Sequence, residues 1–451
     1  MSRVVRQSKY RHVFGEAEKK ENCYDNITLS RNAWDSNYIS TNLTYFAVCW
    51  EAAGGGSFAV VPWTNKGKLP SDYPLVSGHK APVLDVACNP FNDALVASAS
   101  EDGTAKIWSI PAGGLTETLR DPVQTLTGHR RKVGTVEWHP IANNVLATSS
   151  TDYTVKVWDV EKGVAHNTVE GHGNIVQSTN WNYNGSLLAT SCKDKKTRIF
   201  DPRTGTIAHE AQCHEGVKGS RVCWAGKSGL LITVGFSKTS DRQYSVWDPR
   251  NFSEAVQKED VDTASGLLMP FYDADTNVLF LAGKGDGNIR YFELDGGKFY
   301  FLSQYQSNVP ARGVAMFPKL AMDVAKCEIV RMAKMTPSSC EIISFKVPRK
   351  GGEEVFQDDI FPPTANGEPV LTASDWFGGK NAEPKLISLE GGFQPKERSA
   401  ASFNPEVKTE DEGPQTEKEL REEWKKLTNR VAYLESEIAK RDARIKELEG
   451  K

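Results

Sequence analysis

The sequence predicts an all-β fold, a β-propeller of seven blades, followed by a C-terminal extension and a C-terminal α-helical coiled coil. The first observation is that an aspartate stands six residues before an aromatic residue five times, across short alternating segments. The second is that successive aromatics lie 50, 42, 47 and 45 residues apart, close to the period of about 40–45 residues of one blade. The five pairs are Asp102/Trp108, Asp152/Trp158, Asp194/Phe200, Asp241/Trp247 and Asp286/Phe292.

A Gly-His dipeptide precedes the aromatic in the first three units, which gives them the pattern of a WD repeat. Its histidine lies 28 or 29 residues before the aromatic, at His79, His129 and His172. The fourth unit has Cys213-His214 in this region, and the fifth has no such histidine. Because a single blade of four antiparallel strands cannot bury both of its faces, the units must stack around a central axis into a disc.

Segments on either side of the five units supply the remaining blades. Tyr45–Trp50 and Ser57–Pro62 have strand character upstream, and Val314–Phe317 and Glu341–Val347 have it downstream. One blade before the five units and one after them bring the number to seven. We expect Val4–Phe14 to supply the strand that closes the ring.

The propeller is placed at residues 1–354, and three further segments follow it. Residues 355–393 are too aromatic for a linker and too irregular for a blade, so we expect an extension that packs on the disc. Residues 394–415 are polar and charged and contain three prolines, which predicts a flexible linker. Residues 416–451 begin with a capping box and predict a helix that oligomerises.

The helix carries apolar residues at 4,3 spacing over about four heptads, with Arg441 at one apolar place. An arginine at g and a glutamate at the following e flank the seam in two heptads. This Arg-apolar-x-x-apolar-Glu pattern is similar to one known in trimeric coiled coils, which favours three strands, and a dimeric zipper is the alternative. The predicted oligomerisation residues are Leu420, Trp424, Leu427, Arg430, Val431, Leu434, Glu435, Ile438, Arg444, Ile445, Leu448 and Glu449.

Composition argues against several classes of function. The net charge of −3 gives no field that would attract nucleic acid. Eight cysteines without a Cys-x-x-Cys suit reduced thiols in a cytosol. The N-terminus lacks an apolar signal region and no stretch approaches 18 apolar residues, so we expect neither secretion nor a transmembrane segment.

The polar residues of the repeat are assigned to structure rather than to catalysis. An aspartate that accepts a hydrogen bond from a buried imidazole ties a turn of the blade to the loop that enters it, and the indole of the aromatic position joins the same network. The expected pairs are Asp102 with His79, Asp152 with His129 and Asp194 with His172. The sequence has no Gly-x-Ser-x-Gly or His-Glu-x-x-His, and Gly283–Gly287 lacks a following Gly-Lys-Ser/Thr. We therefore expect no enzyme, no cofactor and no metal site. The structural blade residues are His79, Asp102, Trp108, His129, Asp152, Trp158, His172, Asp194 and Trp247.

Basic residues are concentrated in three places and have two interpretations. They are either solvated loop residues or parts of a positive surface that meets an acidic protein. The clusters are Arg6, Lys9 and Arg11; Arg130, Arg131 and Lys132; and Lys193, Lys195 and Lys196.

Several long strings resemble those of coronins. They are VVRQSKYRHVFG at 4–15, WDSNY at 34–38, GGGSFAV at 54–60, CKDKK at 192–196, GFSKTSDRQ at 235–243, GLLMPFYDADT at 266–276, AGKGDGNIRYFEL at 282–294 and FQDDIFPPT at 356–364. The resemblance covers most of residues 1–394 and resumes in the heptads. The short linker indicates the class of the family with a single propeller.

The resemblance implies an actin-filament-binding protein of the cytoplasm and cell cortex. In the family the propeller binds the filament, and the coiled coil contributes to oligomerisation and to contact with the actin-nucleating complex of actin-related proteins. Several coronins carry a basic residue shortly after the position of Cys23-Tyr24; the matching place here is Thr28, and Arg31 is the candidate substitute. The alternative function is a generic WD-repeat scaffold for peptide or phosphopeptide partners.

Overall fold

The computed structural model describes residues 6–351 and 354–393, together with residues 403, 405, 424, 425, 428, 431, 432, 436, 438 and 441. The chain forms two compact units, Met1–Pro405 and Glu406–Lys451.

The first unit is a seven-bladed β-propeller, as the sequence predicts. Six blades are four-stranded antiparallel sheets whose strands run in chain order from the innermost strand a to the outermost strand d. Each of the five sequence units places its aromatic on strand c, in blades 2 to 6. In chain order the strands are Ile39–Thr41, Tyr45–Trp50, Ser57–Pro62 and Val76–Ser77 in blade 1; Val83–Cys88, Leu95–Ser100, Ala105–Ser109 and Gln124–Leu126 in blade 2; Val133–Trp138, Val145–Ser150, Val155–Asp159 and Val164–Val169 in blade 3; Val176–Trp181, Leu188–Cys192, Lys196–Asp201 and Thr206–Gln212 in blade 4; Arg221–Trp224, Leu231–Phe236, Arg242–Trp247 and Gln257–Asp262 in blade 5; and Leu268–Asp273, Val278–Gly283, Ile289–Asp295 and Lys298–Tyr305 in blade 6.

Blade 7 joins the two ends of the propeller. Its inner strands come from the C-terminal part of the propeller and its outer strands from the N-terminus, so the first and last parts of the ring share one sheet. The strands are Gly313–Met316, Glu328–Met335 and Ser339–Lys346, with Phe14–Ala17 and Tyr24–Asp25 on the outer edge and Gly67–Lys68 in parallel beyond Tyr24–Asp25.

The closing strand lies later in the chain than the sequence analysis predicts. Phe14 pairs with Lys346, and Tyr24 pairs with Cys340, so strand c of blade 7 is covered in two pieces. Of the predicted segment Val4–Phe14, Phe14 alone belongs to a strand among the residues that the structure describes.

Burial explains which strands the sequence reveals. Strand b of blade 2, Leu95–Ser100, and strand b of blade 5, Leu231–Phe236, are buried at every position because neighbouring blades cover both faces. Strand d of blade 5, Gln257–Asp262, is the outermost strand and has the sequence QKEDVD. An outer strand contributes little to the core, so its sequence carries no apolar alternation for prediction to use.

The segment after the propeller packs on the disc at two places. Phe361 is buried with core residues of blades 6 and 7. Trp376 is fully buried against Trp181 and His139, and its indole nitrogen donates to the Gly185 carbonyl over 3.2 Å. The segment after the propeller contains a two-stranded sheet, Thr364–Ala365 with Leu386–Ile387, and the α-helix Ala373–Phe377, which starts with a capping box. Short 3-10 helices lie elsewhere in the chain, at Lys20–Asn22, Gly226–Ser228, Lys319–Ala321 and Val324–Lys326.

The two faces of the disc carry different loops. Because the four strands of a blade alternate in direction, the turn between strands b and c lies on the same face as the connection from strand d to the next strand a. We call this side the b–c face, and the other side the opposite face.

In the second unit the described residues are helical, and Trp424, Val431 and Ile438 lie with at least half of their surface exposed in the single chain. Among the described residues, no helix has the length and apolar character needed to cross a membrane. The other predicted coiled-coil residues lie outside the described residues: Leu420, Leu427, Arg430, Leu434, Glu435, Arg444, Ile445, Leu448 and Glu449.

Candidate protein-binding face

In blade 2 a chain of side-chain hydrogen bonds ties the b–c turn to the loop that enters the blade. The His79 Nδ1 atom lies 2.8 Å from Asp102 Oδ2, and its Nε2 atom lies 2.7 Å from Ser98 Oγ. The Trp108 indole nitrogen donates to the same Ser98 hydroxyl over 2.8 Å. Each polar group of this buried network therefore has a partner, and the loops of the b–c face are held in place.

Blade 3 repeats this network with a threonine in place of the serine. His129 Nδ1 lies 3.0 Å from Asp152 Oδ2, and its Nε2 atom lies 2.8 Å from Thr148 Oγ1. Trp158 donates to Thr148 over 2.8 Å. The loop that carries the Arg130 cluster is anchored at this histidine.

The ionisation of these residues suits a structural role. Burial alone would raise the pKa of Asp102, but the hydrogen bond and the charge interaction with His79 lower it well below the ordinary carboxyl range. Burial lowers the pKa of His79, although Asp102 opposes the shift. A stable carboxylate beside a buried imidazole that resists protonation is suited to hold two loops together.

Blade 4 does not form the expected contact between His172 and Asp194. His172 instead lies 3.2 Å from the Tyr153 carbonyl and 3.0 Å from Thr190 Oγ1. Arg198 binds the Asp194 carboxylate at 2.8 Å. The prediction that blade 4 would pair His172 with Asp194 is therefore wrong.

The replacement of one lysine by arginine accounts for this difference. Arg198 stands where blade 3 has Lys156, and its longer, forked guanidinium reaches both Asp194 at 2.8 Å and Glu210 at 2.7 Å. Burial would raise the pKa of Asp194, but hydrogen bonds from Arg198, from the backbone amides of Lys196 and Gly173 and from Cys192 together lower the pKa to about 2. Phe200 in this blade supplies no indole donor.

Blade 5 keeps the indole bond and loses the aspartate. Trp247 donates to Thr233 over 3.0 Å, and His214 Nε2 lies 3.0 Å from the same hydroxyl. Asp241 bonds instead to Ser237, within its own turn. The Nδ1 atom of His214 is buried without a hydrogen-bond partner among the described residues.

Three sets of basic residues share the b–c face. Arg31 lies in the connection from blade 7 to blade 1, residues 130–132 lie in the connection from blade 2 to blade 3, and residues 193–196 lie at the b–c turn of blade 4. The sequence gives no reason to group these sites, which are up to 165 residues apart. The propeller topology brings them to one side of the disc.

Part of this set is already engaged within the propeller. Lys132 pairs with Glu101 at 2.8 Å, and Lys196 pairs with Glu210 at 2.5 Å. Lys195 donates to a backbone carbonyl over 2.8 Å.

The remainder is exposed and available. Arg31, Arg130, Arg131 and Lys193 are exposed, and their side chains make no ion pair with any residue in the described ranges. Of the basic clusters that the sequence analysis singles out, these four side chains are the ones that leave an exposed, unpaired positive charge on the b–c face among the described residues.

The N-terminal basic cluster lies on the opposite face and is largely occupied. Arg6 binds Glu293 at 2.5 Å and Asp295 at 3.4 Å, at the end of strand c in blade 6. Lys9 donates to a backbone carbonyl of the segment after the propeller. Arg11 is exposed.

A loop that we call the cap, residues 31–38, closes the central channel at the b–c face. Ser36 Oγ donates to the Leu84 carbonyl over 2.6 Å at the start of strand a in blade 2. Lys284, in the b–c turn of blade 6, binds Asp35 at 3.0 Å. The cap thus reaches across the channel mouth between blades on different sides of the ring.

Below the cap the channel holds a polar cavity of about 240 Å³. Burial raises the pKa of Asp85 to about 7, against the hydrogen bond from the Val136 amide and the charge of Arg221. Burial also raises the pKa of Glu137 to about 7, against hydrogen bonds from neighbouring side chains, with Thr179 the strongest. Two carboxyls that hold their protons near neutrality therefore line the channel.

A second depression of about 1130 Å³ lies between blades 7 and 1 and the segment after the propeller. Its walls include Trp63, Phe317 and Arg331, with Glu354 and Phe393 on the other side. No group of three or more histidine, cysteine, aspartate or glutamate side chains in the described part of the chain is arranged to hold a metal ion. The depression has the mixed lining of a surface groove.

Sequence reasoning missed the cap and the channel residues. Trp34 and Lys284 lie in loops, where no periodic pattern identifies them. Arg221 begins a strand, and the sequence does not show that this strand lines the central channel. The run Trp-Asp-Ser-Asn-Tyr, between the predicted closing strand and the first predicted blade, was the available signal, because large aromatic side chains in a short connection have a large apolar area to bury.

Comparisons with known proteins agree with the fold. Residues 3–68 match a family described as a domain of unknown function. Residues 73–109 and 120–159 match the WD domain, G-beta repeat, and residues 340–384 match a type of WD40 repeat. Residues 164–234 match the WD40 domain of anaphase-promoting complex subunit 4.

Individual relatives resemble nearly the whole chain. Coronin-A of Dictyostelium discoideum is 59% identical over 450 residues, which is 99% of this chain and 100% of that protein. The crystal structure of the WD40 domain of Toxoplasma gondii coronin superposes with a TM-score of 0.80 at 34% identity, covering 85% of this chain and 98% of that one. A structure of the mitotic checkpoint complex, at a TM-score of 0.56 and 15% identity, shares the fold alone.

Proposed function

This chain belongs to the coronin family, and from that premise we propose that it is an actin-filament-binding protein without catalysis of its own, which organises the cortical actin cytoskeleton in the cytoplasm. The proposal assigns filament binding to the b–c face and gathering of several copies to the C-terminal heptads. Contact with the actin-nucleating complex of actin-related proteins belongs to the same proposal.

The observation that carries the filament-binding assignment is the set of free basic residues on the b–c face. Arg31, Arg130, Arg131 and Lys193 are exposed without ion pairs to described residues. A protein surface with unneutralised positive charge steers and orients an acidic partner. The neighbouring carboxylates of Asp102 and Asp152 are hydrogen-bonded to histidines and form no ion pair with these arginines among the described residues.

The heptads supply avidity. Trp424, Val431 and Ile438 are seven residues apart and remain exposed in a single helical chain. Exposed apolar residues in one heptad position favour association with further copies, and we propose a homotrimer. Three linked discs make the second and third filament contacts intramolecular, which raises affinity by about 10²–10⁴-fold without a new contact.

The proposed organisation assigns one task to each segment. Residues 1–354 form the filament-binding propeller, residues 355–393 the extension packed on it, residues 394–415 the linker, and residues 416–451 the oligomerising coiled coil. In this scheme the linker sets how far apart two discs on one trimer can bind.

Co-sedimentation with purified actin filaments across a salt titration tests the proposal. The chain should pellet with filaments, and binding should weaken as salt rises because charges of the b–c face are exposed to screening. A chain that stays in the supernatant at every salt concentration, while binding peptides or phosphopeptides, would be the generic scaffold instead.

A further inference from the structure

We infer that the cap, residues 31–38, positions the partner-binding surface of the b–c face, and that the contact between Trp34 and Gly134 is the lock that keeps the cap closed. The assignment of the partner rests on the proposed function, whereas the lock itself is a property of the isolated disc. Trp34 and Gly134 have no part in the network of blade residues described above, and neither carries charge.

The lock depends on the absence of a side chain at position 134. The Trp34 indole nitrogen donates to the Gly134 carbonyl over 2.7 Å. A Cβ atom on Gly134 would lie 2.1 Å from Cζ2 of the Trp34 ring, and the three nearest atoms to it all belong to Trp34. Because the backbone φ of Gly134 is not positive, alanine is compatible with this strand apart from the collision with the indole.

Further contacts hold the cap beyond the indole. Lys284 donates to the Trp34 carbonyl over 2.9 Å as well as to Asp35. Arg221, at the start of strand a in blade 5, donates to the Asp35 carbonyl and to the Asn37 side chain. Together with the bond from Ser36 to blade 2, these contacts fix the cap at blades 2, 3, 5 and 6, across the channel mouth.

The cap also connects two basic sites. Asn32, next to Arg31, donates its side-chain amide to Glu101 over 2.9 Å. The other oxygen of the Glu101 carboxylate binds Lys132 at 2.8 Å. One carboxylate thus links the Arg31 segment to the loop of Arg130 and Arg131, so that a displaced cap would change the spacing between the charges that a partner meets.

Opening of the cap should lower the apparent affinity for a partner, because the binding surface is complete when the cap is closed. If the cap opens, the fraction of molecules with a complete binding surface falls, and the apparent affinity falls by the same fraction. A cap that is closed in about a tenth of the molecules would bind about tenfold more weakly.

A double-mutant cycle in the full-length protein tests the inference. The variants are Gly134→Ala, Trp34→Ala and the combination of both, and Trp34→Phe is added because it removes the N–H donor and keeps most of the ring. The measurements are amide hydrogen exchange within residues 31–38 and co-sedimentation with actin filaments. Gly219→Ala is the matched control, since a Cβ there would make contacts of 3.4 Å or more.

The expected result is a specific pattern of coupling. Gly134→Ala should raise exchange in residues 31–38 and weaken filament binding about tenfold, and Trp34→Ala should do the same. Adding Gly134→Ala to Trp34→Ala should change neither measurement further, because the collision has been removed. Trp34→Phe should fall between wild type and Trp34→Ala, and Gly219→Ala should match wild type.

Two outcomes overturn the inference. One is unchanged exchange in the cap of a folded Gly134→Ala or Trp34→Phe variant. The other is raised exchange in the cap with unchanged filament binding, while reversal of Arg130 and Arg131 does weaken binding; the proposed function would then stand without the lock. If wild type itself binds no filaments, the proposed function fails, and exchange in the cap still decides whether the lock exists.

Discussion

The basic clusters on the two faces of the disc look alike in the sequence and are paired differently in the structure. On the opposite face Arg6 is held by two carboxylates and Lys9 by a backbone carbonyl. On the b–c face Arg130 and Arg131 extend from a loop that His129 anchors, and they pair with no described residue. A count of lysines and arginines therefore says less about binding than the carboxylates that fold around them.

The largest expected effect comes from removing the predicted coiled coil. It sharpens the comparison because a single propeller then presents one b–c face and one opposite face to the filament. Removal of residues 416–451 should weaken filament binding by about 10²–10⁴-fold, because each disc then binds alone. Co-sedimentation measures the loss, and light scattering should show the change from oligomer to monomer. Equal affinity of the truncated and full-length chains would contradict the avidity account.

Charge reversal on one face at a time gives the next largest effect. Arg130→Glu with Arg131→Glu should weaken filament binding on the order of tenfold to a hundredfold, since like charges would face an acidic partner. Arg11→Glu is the control on the opposite face, because Arg11 is similarly exposed. Its affinity should stay within about twofold of wild type. A larger loss from Arg11→Glu would reverse the assignment of the faces.

Salt gives a smaller effect that distinguishes attraction by charge from attraction by shape. Raising the salt from about 50 to about 200 mM should weaken wild-type binding severalfold, because screening acts on exposed charges. The variant with Arg130 and Arg131 reversed should show a flatter dependence. Parallel salt curves for wild type and variant would show that these arginines do not face the filament.

The smallest expected effect on binding comes from Glu137, which lies in the channel beneath the cap. Its pKa is raised by burial from 4.5 to about 7, so the folded chain holds a proton that the unfolded chain releases as pH rises from about 4.5 to about 7. The free energy of unfolding should therefore fall over that range. Glu137→Gln should remove this loss of stability, which is at most about 3 kcal/mol. Filament affinity should not change under conditions in which both proteins are fully folded.

Urea unfolding of wild type and Glu137→Gln at pH 5 and pH 8 provides the measurement. The variant should gain stability relative to wild type at the higher pH, because wild type alone must ionise this carboxyl there. A difference that is the same at both pH values would show that Glu137 does not titrate in the folded chain.

The propeller was predictable because its repeat leaves a mark in every unit. Asp102 and Trp108 recur as Asp152 and Trp158, and five blades follow from this spacing; the other two were inferred from strand-like segments on either side. The position of the closing strand was less predictable, because Phe14–Ala17 is a short outer strand with one exposed aromatic and no apolar alternation.

The binding face was predictable in its parts and not in its arrangement. The arginines at 130 and 131 and the lysine at 193 are visible in the sequence, and so is the replacement of Lys156 by Arg198. That Arg198 takes Asp194 away from His172 depends on side-chain reach, and that Trp34 lies on Gly134, 100 residues away, depends on closure of the ring. Pairings between distant loops leave no periodic signal.

An image of the full-length protein bound to actin filaments, at a resolution that identifies loops, tests the central claim most directly. The account predicts that Arg31, residues 130–132 and residues 193–196 lie within contact distance of the filament. A filament that lies against Arg11 and the opposite face, with the b–c loops in solvent, would contradict it.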